Sequence, residues 1–241
     1  MNFRSVAPMT ATELERNYYL IEDRIGKACA RSSRKRGDVL LLVVSKNQSV
    51  PEIEVFYKLG LINFGESRVQ ELLKKKDELP GDICWHFIGH LQSNKARNIA
   101  PFIDTVHSID SLETARELSR RAEQHKRLIK VLVEVNISGE EQKNGIMPEN
   151  ALEFTHKVVK ECPRLVLSGL MGMASYEEEV ERTRPQFLAL RALRDSIAER
   201  HPELIAFKEL SMGMTNDFEV AIECGATMIR VGSALFGERT L

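Results

Sequence analysis

The chain has 241 residues, 43% hydrophobic and 29% charged, with a formal net charge of −1, which supplies a sizeable core and no excess of either sign. That balance argues against a broad nucleic-acid footprint or a polybasic membrane patch, and no apolar run approaches the length that spans a bilayer. Cys29, Cys84, Cys162 and Cys224 stand singly and read as reduced thiols, neither a disulfide framework nor a zinc site. The start, MNFRSVAPMTATELE, lacks a signal-peptide pattern, so the expected compartment is the cytoplasm.

The first expected element is an amphipathic helix over about 10–30. Thr10 and Glu13 have capping-box spacing, and Leu14, Tyr18, Ile21 and Ile25 share one helical face. Residues 39–46, VLLLVVSK, form an apolar, branched run that ends in a polar pair, the pattern of a strand buried on both faces. Ser49, Pro51 and Glu52 then signal a helix start. The unit recurs. Strand-like runs follow in LINFG, WHFIG, FIDTVHSI, KVLVEVNI, LVLSGLMGM, FKELSMG and TMIRVGS. Helical stretches separate them, one expected to be capped by Asp110 and Glu113 and another by Ser175 and Glu178. Eight strands in strict alternation with helices predict an α/β fold, a (β/α)8 TIM-type barrel over about 39–239, preceded by an extra N-terminal helix. No Gly/Pro/Ser-rich linker interrupts the series, which predicts a single domain over 1–241.

In such a barrel, functional groups gather at the carboxyl ends of the strands. Polar residues cluster there in this chain: Ser45-Lys46, Asn63 to Glu66, Gly89-His90, His107-Ser108, Asn136 to Ser138, Ser211 to Gly213 and Arg230 to Ser233. A lysine that closes a buried strand sits half in low dielectric, which favours the neutral amine that attacks a carbonyl. A lysine snorkelling to the barrel mouth fits the same spacing. The segments SMGMTNDFE and RVGSALFGE each put a hydroxyl and a glycine just past a strand, where backbone can approach an anion. A Schiff-base lysine opposite a phosphate cup describes a phosphorylated carbonyl ligand. Pyridoxal 5′-phosphate (PLP) fits, and so does a sugar phosphate in an aldolase.

The segments VSKNQS, NFGESRVQEL, WHFIGHLQSNK, VHSIDS, VEVNISGEEQKNGI, GLMGMAS and LSMGMTNDFEVAIECGATMIRVGSALFGER together resemble the pyridoxal phosphate homeostasis proteins. That family is similar in fold to the barrel domain of alanine racemase, a fold type III PLP protein. The resemblance implies a PLP carrier acting in vitamin B6 homeostasis, with no established catalytic turnover. It implies that Lys46 holds PLP as an aldimine and that Ser211, Gly232 and Ser233 bind its phosphate, with Met212 and Gly213 beside them. Asn63 and Asn136 would line the ring pocket, and Arg230 would face the pyridine nitrogen. An arginine cannot accept the pyridinium proton, so the ring would stay a poor electron sink. His90 departs from the proline usual in the family, and Thr215 from the usual serine.

The alternative is a PLP-dependent amino-acid racemase of low activity. The chain stops soon after the eighth strand, and Tyr18, Tyr19, Tyr57 and Tyr176 are not expected at strand ends, which weighs against that alternative. A phosphosugar aldolase conflicts with the motifs. His86 and His90 lack a metal-binding pattern. His90 reads as structural or solvated. Lys143 reads as a surface lysine, with transimination as its functional alternative. Beyond PLP, the expected partners are PLP-dependent apo-enzymes, with no nucleic acid or membrane, and the expected state is a monomer.

Overall fold

The computed structural model describes residues 9–140 and 142–237. The residues before Met9 and the expected barrel end near residue 239 lie outside the described residues. Helix α1 (Ala11–Arg31) begins as its capping box predicts: Glu13 N donates to Thr10 Oγ1, and Thr10 N donates to the Glu13 carboxylate at 2.8 Å. Its stripe of Leu14, Ile21, Ile25 and Ala28 is buried.

Eight parallel strands close in sequence order: β1 (Leu40–Val44), β2 (Asn63–Glu66), β3 (Cys84–Phe87), β4 (Thr105–Ile109), β5 (Ile129–Val135), β6 (Leu165–Gly172), β7 (Glu209–Ser211) and β8 (Met228–Val231). β8 returns to β1 with Leu42 opposite Arg230. The connecting helices are α2 (Val50–Lys58), α3 (Val69–Glu78), α4 (Ala96–Ile99), α5 (Leu112–Gln124), α6 (Ala151–Glu161), α7 (Arg184–Arg200) and α8 (Phe218–Glu223), with a short α9 (Ser233–Phe236) after β8. The (β/α)8 barrel with its extra N-terminal helix is therefore present.

Strand alternation divides the core into two layers. Leu41 and Val43 face outward into the main apolar cluster with Ile53, Phe56 and Ile25. Leu42 turns inward, where it faces Gly65. α1 packs over α2, α8 and α9 outside the β8–β1 seam, and Arg24–Glu219 and Arg31–Glu223, each at 2.6 Å, tie it to α8. Among the described residues, no helix is long and apolar enough to cross a membrane.

Two helix starts differ from expectation. Ser111, not Asp110, caps α5, accepting from Thr114 N; the Asp110 carboxylate instead takes Gly145 N from a neighbouring loop. Ser175 and Glu178 do not cap α7, which begins at Arg184. Ser175 N donates to Gln186 and its hydroxyl to Glu177, folding the chain after β6 into a loop. A spacing signal records local chemistry that a turn satisfies as well as a helix does.

Candidate functional site

A cavity of about 570 Å³ opens at the carboxyl end of the barrel. Lys46, Arg230, Gly232 and Ser233 line it together with Lys143, Tyr176, Thr215 and Asp217. Of the residues expected to bind PLP, those first four meet in one space; Asn63, Asn136, Ser211, Met212 and Gly213 do not line it.

Lys46 follows β1 and its backbone is braced on both sides. Before it, the Ser45 carbonyl accepts from Lys75 Nζ at 2.7 Å, and the Ser45 hydroxyl donates to Glu66 Oε1 at 2.6 Å. Lys75 also donates to Glu66 Oε1 at 2.7 Å, forming a buried ion pair. The second oxygen, Glu66 Oε2, is buried without a hydrogen bond. Burial pushes the Glu66 carboxyl up from its ordinary value, against the pull of Lys75. After Lys46, Asn47 takes φ 61°, and its N–H donates to Glu71 Oε2 at 2.9 Å. Asn tolerates that left-handed turn better than most residues, so the lysine leaves the strand on a fixed path.

The hydroxyl cup is made differently from the expected one. Ser211 is wholly buried inside the barrel, its Oγ engaged by His107 Nδ1 at 2.9 Å and by Arg230 Nη1 at 2.8 Å. It is not a wall residue, because the side chain at the last position of β7 points along the inward face. Met212 is likewise buried, and its N–H donates to Met228 O, so that donor serves the barrel ladder. The hydroxyl from this segment that reaches the cavity is Thr215, which accepts from Ser233 Oγ at 3.0 Å. Gly213 has a structural place: at φ 92°, an added Cβ would stand 2.5 Å from Ala221 Cβ. Gly213→Ala is therefore expected to cost about 1–3 kcal/mol, measured by denaturant unfolding; an unchanged midpoint would contradict this packing. At Gly232 an added Cβ would come within 3.1 Å of the Val44 carbonyl, narrowing the cradle between β1 and β8.

Arg230 is 5% exposed. It donates through Nη1 to Ser211 O at 2.6 Å and through Nη2 to Gly172 O at 3.2 Å. Burial lowers it to about 10, opposed by Asp217 and Glu134, so it stays cationic at neutral pH. Behind Ser211 a line of polar groups crosses the barrel interior. His107 Nε2 lies 2.9 Å from His86 Nδ1, and His86 Nε2 lies 3.2 Å from Asn63 Oδ1. Burial pushes His86 down to about 4, and burial followed by His86 and Arg230 holds His107 well below its ordinary range. Both are neutral. Asn63 opens β2 instead of ending it, which puts it at the far end of this line from the cavity. Sequence reading missed the two histidines as a unit. A histidine at alternate positions of buried strands was the available signal.

Asn136 orders the loop after β5: its amide donates to Glu140 O, and its Oδ1 accepts from Ser138 Oγ and Gly139 N. That loop carries Lys143 to the cavity wall, where Nζ donates to Glu140 at 2.5 Å and to Ala174 O. His90 stays exposed, 3.6 Å from Asp110, outside the cavity wall. Tyr176, four residues past β6, lines the wall on the loop that the apparent Ser175 cap had disguised as helix.

Residues 27–240 match the family model of the alanine racemase N-terminal domain. A pyridoxal phosphate homeostasis protein of Aquifex aeolicus is 44% identical over 218 residues, 90% of this chain and 94% of its own length. One of the same name from Haemophilus influenzae is 37% identical over 229 residues, covering 94% and 96%. Among solved structures, PipY of Synechococcus elongatus with PLP bound is similar at a TM-score of 0.76 and 33% identity, covering 88% of this chain and all of that one.

Proposed function

This chain belongs to the family of pyridoxal phosphate homeostasis proteins, and we propose from that premise that its cavity binds PLP with Lys46 as the amine bonded to the PLP carbonyl carbon. The observation that carries the reading is the meeting of three chemistries in one cavity: the Lys46 amine, the Thr215–Ser233 hydroxyl pair beside Gly232, and the buried cation of Arg230. An amine, an anion cup and a cation fit an aldehyde, a phosphate and a pyridine nitrogen respectively. The PLP-bound PipY relative supports the same ligand. When bound, PLP supplies an aldehyde and an electron-withdrawing ring. Thr215 and Ser233 offer hydroxyl donors to the phosphate, and the Gly232 cradle leaves its approach open. Arg230 donates hydrogen bonds but accepts no proton, so the ring nitrogen facing it stays unprotonated and the ring weakly activated. Holding the cofactor, and not turning a substrate over, is the activity this arrangement favours.

The protein accordingly acts in PLP homeostasis as a carrier. Cytoplasmic location, PLP-dependent apo-enzymes as recipients and a monomeric state complete the proposal. Tyr176 favours a second reading, residual racemisation, because it brings a phenol to the cavity wall. Incubation with L-alanine in heavy water separates the two. Turnover of about one per second or faster, lost in Tyr176→Phe, would favour the racemase.

The binding step has a direct test. Protein loaded with PLP and reduced with borohydride is expected to carry one pyridoxyl group on Lys46, located by peptide mass, and Lys46→Ala is expected to carry none there. Modification elsewhere, with Lys46 unlabelled, would overturn the assignment.

A further inference from the structure

The line of polar groups inside the barrel has a direction set by where the Ser211 hydroxyl proton goes. Arg230 Nη1 has only protons to give, so Ser211 Oγ accepts from it at 2.8 Å. Ser211 Oγ could accept twice, but its buried proton needs an acceptor, and among the described residues the one hydrogen-bonded to it besides Arg230 is His107 Nδ1, at 2.9 Å. A neutral His107 that accepts at Nδ1 carries its proton on Nε2 and donates it to His86 Nδ1 at 2.9 Å. His86 in turn is protonated on Nε2 and donates to Asn63 Oδ1 at 3.2 Å. Every later link is fixed once the Ser211 proton is placed on His107. The three inner side chains, Ser211, His107 and His86, are no more than 4% exposed, so water does not compete for these bonds.

We propose that His107 and His86 are positioning residues: with Ser211 and Asn63 they form a directed hydrogen-bond chain that locks the Arg230 guanidinium at the cavity floor. The chain's dipoles all point their negative ends toward the arginine, offsetting part of the cost of burying its charge. Asn63, at the other end of the barrel, terminates the chain with an acceptor. The chain moves no proton, because an amide oxygen does not pass one on. Its effect on the cofactor rests on the PLP reading above; its existence does not.

Nitrogen NMR of the isotopically labelled, PLP-free protein tests the chain itself. Both imidazoles are expected with Nδ1 unprotonated and Nε2 protonated, with coupling across the bond from His107 Nε2 to His86 Nδ1. An Nδ1–H tautomer at either residue would overturn the proposal. The positioning effect is read from hydrogen exchange at the Arg230 guanidinium and from the rate of PLP release. His107→Leu is expected to speed both by about tenfold, because it leaves the buried Ser211 hydroxyl that holds Arg230 without its acceptor. His107→Gln, which presents an acceptor and a donor side by side, is expected to return both to within about threefold of the parent. Ser211→Ala cuts the same link with little change in volume and is expected to act in the same direction, which keeps the test open if His107→Leu does not fold. Unchanged exchange and release in Ser211→Ala and in folded His107→Leu would refute the positioning role. Borohydride capture on Lys46 of the unaltered chain judges the cofactor reading separately, since the imidazole spectrum is recorded without PLP.

Discussion

Lys75→Met is expected to destabilise the protein by roughly 3–5 kcal/mol, the cost of leaving one member of a buried ion pair without the other. Lys75 is 7% and Glu66 0% exposed, and Glu66 Oε2 has no hydrogen bond even in the intact pair. Without Lys75, the Glu66 carboxylate would keep only the Ser45 hydroxyl at 2.6 Å. Two measurements distinguish this cause from lost packing. The destabilisation should shrink as pH falls, because burial already pushes Glu66 toward its neutral form and a protonated carboxyl needs no cation. Adding Glu66→Gln to Lys75→Met should recover much of the loss, a coupling that denaturant unfolding of the four-member cycle would reveal. Additive effects in that cycle would contradict the pairing. Because Lys75 also holds the Ser45 carbonyl at 2.7 Å, the substitution loosens the end of β1 immediately before Lys46, linking core electrostatics to the placement of the Lys46 amine.

Glu134→Gln is expected to do the opposite above neutral pH and stabilise the PLP-free protein. Glu134 is 3% exposed on β5. Burial first, then the nearby Asp110 charge, raises it from 4.5 to about 7 against the pull of Arg230. A raised carboxyl means that between these values the folded chain keeps a proton the unfolded chain has released. Its contribution is fully present below pH 4.5 and is lost as pH rises through about 7. The span amounts to roughly 3 kcal/mol. Glutamine mimics the protonated form at every pH. The variant should therefore match the parent near pH 4.5, exceed it increasingly up to about pH 7 and keep a constant margin above that. His86 and His107 slope the other way: their depressed values contribute stability above the ordinary histidine value and lose it as pH falls, through about 4 for His86. The difference between variant and parent removes that common limb. A difference that does not vary with pH would show that Glu134 titrates normally.

The barrel is legible in the sequence because its information is local and periodic. An apolar strand ending in a polar pair, repeated between amphipathic helices, states its own burial, and VLLLVVSK put Lys46 at a strand mouth without reference to any other residue. The resemblance of seven motifs then implied PLP as the ligand. What local pattern could not supply was the partner of each polar group. Ser211 and Thr215 lie in one short segment and both carry hydroxyls, yet Ser211 turns inward to His107, 104 positions away, while Thr215 meets Ser233 in the cavity. Asn63 read as a strand end and proved to be a strand beginning, since pairing with Cys84 set the register. Ser175 had the spacing of a helix cap and instead closes a loop that brings Tyr176 to the wall. The sequence by itself determined the periodic framework and the placing of Lys46 at a strand mouth. Only tertiary structure decided which polar groups share a space, because hydrogen bonds between strands depend on register and closure, which no window along the chain contains.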